Sequence, residues 1–164
     1  MIKFEKVSYE QFRKDCLKVG IVNEYDIQKA YDGIELPKRG TIDSAGYDFS
    51  SPFEFRLDSS NSIETIPSGI RVIMPSNVCL VLMPRSGLGF KSGMRLVNTL
   101  GLIDSDYYNS ENEGHIMMKF EWGFDDLYVK QFDRVMQGVF LGYLTTIDDD
   151  VDVVRNGGFG STGE

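Results

Sequence analysis

The residue types in this chain best suited to chemistry are carboxylates, arginines, amides and hydroxyls, gathered in a few glycine-punctuated segments. The densest is 83–108, MPRSGLGFKSGMRLVNTLGLIDSDYY, where apolar approaches over 78–83 and 94–97 each run into a polar loop. A rigid sheet that delivers a binding loop has this texture. In PRSGLG, Arg85, Ser86 and Gly87 set a guanidinium, a hydroxyl and glycine-freed amides behind an apolar strand, which suits a phosphate cradle. The same letters also make a tight turn at the start of a helical turn. Asn98 carries both a donor and an acceptor, as the amide edge of a nucleobase requires. Asp104 and Asp106, separated by one residue, are expected to share a strand face, one acting on a ligand and the other bracing the loop. Tyr107 can lie flat against a sugar and leave little room for an extra hydroxyl.

Three further segments carry polar residues of the same kind. In SAGYDF, Asp48 can face a hydrated magnesium ion, which keeps most of its waters, although small residues before an aspartate also make an ordinary turn. In RVMQGV, Arg134 and Gln137 interrupt an apolar run, and Gln137 reads either as a satisfied core amide or as a donor to phosphate. The end of the chain, RNGGFGSTGE, joins four glycines to Arg155, Phe159, Ser161 and Thr162, a composition suited to a lid that orders over a ligand. It lacks the lysine and following helix of a Walker loop.

The absences narrow the chemistry. His115 is the only histidine, and the two cysteines, Cys16 and Cys79, are far apart, so a zinc site of several histidines and cysteines is excluded. A serine or cysteine nucleophile with a histidine base would have to use His115, and a carboxylate is the better base. A formal charge of -8 repels nucleic acid at long range, so an anionic ligand must be held locally by placed cations, amides or a bound metal ion. The sparse cysteines read as reduced core thiols of a cytosolic protein. No apolar run approaches the ~20 residues of a membrane span, and the amino terminus has no signal-peptide pattern. The expectation is a soluble, cytoplasmic protein.

Positioning these residues is the task of one domain's worth of chain, 164 residues. Ser8-Tyr9-Glu10-Gln11 has the form of a capping box, with Phe12, Cys16 and Val19 at helical spacing behind it and Gly20 as a stop. Asn23 caps a second short helix through about Ala30, closed near Gly33. From Pro37 the texture becomes short apolar or alternating runs between glycine, proline, serine and asparagine. Strands are expected over 47–50, 53–57, 63–66, 69–74, 78–83, 95–98, 102–103, 115–122, 128–132 and 134–144. So many short strands in so short a chain mean an all-β sandwich, jelly roll or barrel. The acidic run Asp148-Asp149-Asp150 reads as a solvated connector.

Taken in order, SAGYDF, PRSGLG, VNTLGLIDSDYY, RVMQ and GGFGSTG resemble the five motifs of the trimeric deoxyuridine triphosphate nucleotidohydrolases, over about 36–164. The resemblance implies an all-β jelly roll over 36–144, a helical extension over 1–35 and a flexible arm over 145–164 that closes an active site. It implies a homotrimer with active sites shared between chains, and hydrolysis of dUTP to dUMP and pyrophosphate with Mg2+. By residue, it makes Asp104 the carboxylate that orients and deprotonates the attacking water. Asn98, Gly101, Ile103, Tyr107 and Phe159 become the uracil and deoxyribose contacts, with Tyr107 the platform under the sugar and Phe159 the cover over the base. Arg85, Ser86, Gly87, Gln137, Arg155, Ser161 and Thr162 become phosphate contacts, and Asp48 engages magnesium through water. Attack of water on phosphorus needs an in-line nucleophile and charge stabilisation, which one aspartate, one metal ion and several donors supply.

Three departures from the family pattern stand out. The last motif is one residue short between Arg155 and Phe159, which loosens the assignment of Arg155. The run YNSENE after Tyr107 lengthens a loop, as in relatives from Gram-positive bacteria and their phages, and the extension before Leu36 exceeds the family minimum. Two competing readings remain at this level. A related deoxycytidine triphosphate deaminase would need another carboxylate pattern than Ile103-Asp104-Ser105-Asp106-Tyr107 and would release ammonia. A nucleotide-gated interaction protein would bind a partner through the two additions, and deleting them would abolish binding while sparing hydrolysis.

Overall fold

The computed structural model describes residues 1–153. A short strand β1 (Lys3–Lys6) precedes helices α1 (Tyr9–Lys18) and α2 (Glu24–Gly33). Both helices begin where their caps require: Ser8 Oγ accepts from the Gln11 N–H at 3.1 Å, and Asn23 Oδ1 from the Tyr25 and Asp26 N–H groups. The reciprocal half of the first capping box is not made by Gln11, which turns instead to Asp15. Glu113, far along the chain, accepts from the Ser8 N–H at 2.8 Å and from its hydroxyl at 2.6 Å. Helix α1 buries Phe12 and Cys16, and α2 buries Ile27 and Ala30, all in the main core. Phe12 stacks near-parallel on Phe53 at 6.0 Å between centroids.

The remaining strands are β2 (Lys38–Arg39), β3 (Tyr47–Ser50), β4 (Phe55–Leu57), β5 (Ile63–Pro67), β6 (Ile70–Ile73), β7 (Val78–Pro84), β8 (Arg95–Leu96), β9 (Gly101–Ile103), β10 (Met117–Glu121), β11 (Leu127–Val129) and β12 (Arg134–Gly142). They form antiparallel sheets of order β2-β3-β12-β7-β9, β5-β10-β8, β1-β6 and β11-β4. Neighbours in space are mostly distant in sequence, as in a jelly roll. Helix α3 (Ser86–Ser92) follows β7, and a 3-10 turn (Ser105–Asn109) follows β9.

Two local features differ from the sequence expectation. Strand β9 stops at Ile103 and Asp106 lies in the 3-10 turn, so Asp104 and Asp106 do not share a strand face; Asp104 caps that turn, its carbonyl accepting from the Tyr107 N–H at 3.2 Å. Strands β1 and β2 arise by pairing, β1 with β6 in the register Phe4 opposite Val72, and β2 with β3 in the register Lys38 opposite Asp48. Neither KFEK nor KR carries a strand signal of its own.

Candidate active site

The five-stranded sheet builds a cleft of about 500 Å³ at one end. Strand β12 lies between β3 and β7 with Gln137 opposite Asp48 on one side and Met83 on the other, so three strands deliver Asp48, Gln137 and the exit of β7 to one place. Arg85 and Ser86, immediately beyond β7, complete the lining with Gly46 and Arg134. Asp48 is held by two cations, Arg85 Nε at 3.0 Å from Oδ1 and Arg134 Nη1 at 2.9 Å from Oδ2. Two guanidiniums around one carboxylate leave a local excess of positive charge, which suits a polyanion. Ser86 and Gly87 are exposed at the start of α3, where helix N–H groups have no intrahelical partner, and a Cβ placed on Gly87 would meet nothing within 4 Å. That open space is where a ligand has room.

Arg134 is the functional candidate that sequence reasoning left without a role. Residues three apart in a regular strand face opposite sides, which would separate Arg134 from Gln137. The register of β12 shifts between Arg134 and Met136, pairing Arg134 with Ser50 and Met136 with Phe49. This irregularity turns Arg134 onto the same side as Gln137 and buries Val135 and Met136 in succession. Gly46 sits against Gln137, and a Cβ there would stand 2.7 Å from Gln137 Oε1.

A second pocket, about 760 Å³, opens beside the turn that connects β8 to β9. Asn98, Gly101 and Ile103 line it together with Leu82, Leu96 and Met136. Thr99, next to Asn98, has a φ of 66°, a strained value for a β-branched residue, in a turn where the Leu100 N–H donates to the Asn98 carbonyl at 2.7 Å. Helix α1 supplies the far wall through Gln11, Lys14, Asp15 and Lys18, a contribution the sequence reading did not assign. Apolar walls with a few placed amides suit a planar base. The structure thus brings Asn98, Gly101 and Ile103 together, and Asp48, Arg85, Ser86 and Gln137 together, in separate places.

Asp104 and Tyr107 line neither pocket. Tyr107 is 3 % exposed, and its hydroxyl donates to the His115 carbonyl at 2.9 Å and accepts from Asn112 Nδ2 at 2.8 Å, so the ring is held in place and its hydroxyl is already engaged within the chain. Ile103 is opposite Leu80 on β7, which puts Asp104 beside Cys79 while Arg85 lies beyond the other end of that strand. The backbone separation is ~20 Å at ~3.3 Å per residue. That is far beyond the hydrogen-bond reach of a shared phosphoryl group.

The single histidine has no part in nucleophilic chemistry. His115 is fully buried, its Nε2 accepts from the Gly69 N–H at 2.8 Å, and its Nδ1 lies 2.6 Å from Asp15 Oδ2. Burial raises the Asp15 carboxyl, and hydrogen bonds from His115 and Gln11 outweigh it, leaving Asp15 below the ordinary carboxylate range. Burial, then the Asp15 charge, push the Cys16 thiol up to about 12, which makes it inert, and both cysteines are buried and unpaired with each other. Among the described residues no cluster of three His, Cys, Asp or Glu side chains could cage a metal ion. Asp48, already bonded to two arginines, fits an ion only at one remove, through water. No described helix is long and apolar enough to cross a membrane. Arg155, Phe159, Ser161 and Thr162 lie outside the described residues.

Comparison with known proteins gives one result throughout. The dUTPase family model matches residues 32–163. A deoxyuridine 5'-triphosphate nucleotidohydrolase of Lactococcus lactis is 38% identical over 135 residues, 80% of this chain and 89% of that protein. One from Dictyoglomus turgidum is 32% identical, over 84% of this chain and 96% of its own. Among solved structures, the dUTPase of Streptococcus mutans superposes with a TM-score of 0.63 at 28% identity, covering 87% of this chain and 97% of that one. A mutant dUTPase from phage phi11 of S. aureus, which coordinates a structural Mg(II) ion, shares the fold with a TM-score of 0.62 at 15% identity, covering 93% and 97%.

Proposed function

The chain belongs to the dUTPase family and hydrolyses dUTP to dUMP and pyrophosphate, and from that premise we propose how its own residues do so. Asp104 is the base that orients and deprotonates the water attacking the α-phosphorus. Asn98 meets the amide edge of uracil from the turn between β8 and β9, with Gly101 and Ile103 closing the pocket around the ring. Tyr107 is the wall under the deoxyribose. Arg85, Ser86, Gly87 and Gln137 hold the phosphates, and Arg134 joins them as the second cation on Asp48. Arg155, Phe159, Ser161 and Thr162 act from the arm, over residues 145–164, that closes on bound nucleotide.

Magnesium enters as part of the substrate complex. Asp48 would hold the ion through its water shell, and a bound ion would offset phosphate charge that a protein of net charge -8 otherwise repels. The active unit is a homotrimer. The support is the ~20 Å between Asp104 and Arg85 along β7 in one chain, which a neighbouring chain's cleft can close. Exposed Leu100, Leu102, Phe90 and Phe124 supply apolar surface for such contacts. The setting is the cytoplasm, of a bacterium or of a phage-infected host, with no direct binding of nucleic acid or membrane.

The observation that carries this reading is the convergence of Arg85, Ser86, Arg134 and Gln137 on one cleft around Asp48. Its test is pyrophosphate release with magnesium from dUTP beside the thymidine, deoxycytidine and uridine triphosphates, for the native chain and Asp104→Asn. Hydrolysis confined to dUTP and reduced by on the order of 10²- to 10⁴-fold in the variant is expected of a general base. Activity that survives in Asp104→Asn moves the base elsewhere, and ammonia from the deoxycytidine compound would turn the reading towards a deaminase.

A further inference from the structure

The extension before Leu36 and the polar run after Tyr107 are additions to the family pattern, and the structure ties them to each other and to Tyr107. The chain of contacts begins in α1. Gln11 Nε2 donates to Asp15 Oδ2 at 2.7 Å, and that same oxygen lies 2.6 Å from His115 Nδ1. Because His115 Nε2 accepts from the Gly69 N–H at 2.8 Å, the ring proton is on Nδ1 and is donated to Asp15. The imidazole is therefore locked at both ends in a fully buried position. The carbonyl of His115 in turn accepts from the Tyr107 hydroxyl at 2.9 Å.

The loop between Tyr107 and His115 leaves little freedom for either. Asn112 donates to the Tyr107 hydroxyl at 2.8 Å while its carbonyl accepts from the His115 N–H at 3.0 Å. Glu113 and Gly114 both have positive φ, 58° and 70°, and a Cβ on Gly114 would stand 2.7 Å from Tyr108 Cα and 2.8 Å from the Tyr107 carbonyl oxygen. Glu113 fastens the loop to the start of α1 through Ser8. Gln11, Asp15 and Asn112 also line the pocket that holds Asn98. The helix thus bears on the loop at two points, Ser8 and Asp15, and the loop bears on Tyr107.

We propose that Asp15 and His115 are positioning residues for Tyr107, and that through them the amino-terminal extension sets the discrimination between 2'-deoxyribonucleotide and ribonucleotide triphosphates. The proposal rests on the reading of Tyr107 as the wall under the deoxyribose. A wall excludes an extra hydroxyl only while it stands still, since a shift of the order of an ångström opens the space one oxygen needs. Asp15→Asn keeps the shape of the side chain and removes the charge that orients the imidazole. The ring keeps its Nδ1 proton, because the Gly69 N–H still occupies Nε2, but it then donates to a neutral amide oxygen instead of a carboxylate, and the weaker bond loosens the hold on His115, whose carbonyl accepts from Tyr107.

The test compares the native enzyme with Asp15→Asn, Tyr107→Leu and Arg13→Ala, measuring kcat and KM for dUTP and UTP and the melting temperature of each. Arg13 pairs with Glu24 on the exposed side of the same extension, so its variant reports the effect of loosening the helices alone. Asp15→Asn is expected to lower the ratio of kcat/KM for dUTP over UTP on the order of tenfold, with most of the change in UTP gaining access. Arg13→Ala should leave that ratio at the native value. If Tyr107→Leu collapses the ratio while Asp15→Asn retains it, the positioning role is overturned and the wall stands. If Tyr107→Leu itself retains the ratio, the wall reading fails and the proposal falls with it. Should Asp15→Asn melt too low to assay, Gln11→Leu, which removes one bond to the same carboxylate oxygen, is expected to move the ratio in the same direction by less, and an unmoved ratio there overturns the proposal.

Discussion

Gly46 and Gln137 show how closely a single position can be specified. A methyl group at 46 would stand 2.7 Å from Gln137 Oε1, the far end of a flexible side chain, so the glutamine can yield without unfolding anything. Gly46→Ala is therefore expected to raise KM for dUTP several-fold by swinging the amide away from the phosphates, with a melting temperature within a few degrees of native. Calorimetry beside steady-state kinetics checks this, and a loss of stability with unchanged KM would remove Gln137 from the phosphate site. The candidate residues stood out in the sequence because their types and order are local properties: PRSG, the asparagine of VNTLG and the aspartate of LIDSD each announce a polar group where a strand should be apolar. Arg134 did not, because its orientation depends on a shift of register in β12 that no single segment encodes. Tyr107 was visible as a ring beside the polar run, yet its hydrogen bonds to His115 and Asn112 depend on how a loop folds back.

The same division runs through the elements. Helices α1 and α2 were readable from their caps and 3.6-residue period, which are written within a few residues of one another. Strands β1 and β2 were not, since KFEK and KR become strands only by pairing with β6 and β3. The docking of α1 onto the loop after Tyr107 was equally invisible, being made by Glu113 and His115, about a hundred residues away in the sequence. That docking should depend on pH. Burial raises the Glu113 carboxyl, and bonds from the Ser8 hydroxyl and N–H outweigh it, so Glu113, like Asp15, titrates below its ordinary range in the folded chain. A carboxylate with a depressed folded pKa contributes stability that is complete above its unfolded value, about 4, and is lost as pH falls through the lower folded value. The amides of α1 are therefore expected to exchange hydrogen faster as pH drops below about 4, after correction for intrinsic rates. Glu113→Gln should flatten that dependence, and identical pH profiles for native and variant would count against Glu113 as the fastening.

For the whole molecule, the sheet that builds each half-site also keeps the halves apart. Asp104 and the cleft around Arg85 lie towards opposite ends of β7, ~20 Å apart along a rigid strand. No hinge in the described residues would bring them together without dismantling the five-stranded sheet. The homotrimer proposed above would avoid the problem, because rotation about a symmetry axis would set one chain's Asp104 against the next chain's cleft without moving a strand. This geometry makes a quantitative prediction for mixtures. On the proposed roles, Asp104→Asn keeps a working cleft and Arg85→Ala keeps a working base, so each variant alone is expected to be inactive at every site. Unfolded together in equal amounts and refolded, the two assort at random, and a site works when its base comes from the Arg85→Ala chain and its cleft from the Asp104→Asn chain. About a quarter of the native activity should return, since each of the two independent choices is right half the time in a closed cyclic assembly. If base and cleft belonged to one chain, every site would still carry one of the two lesions and the mixture would be as inactive as its parts.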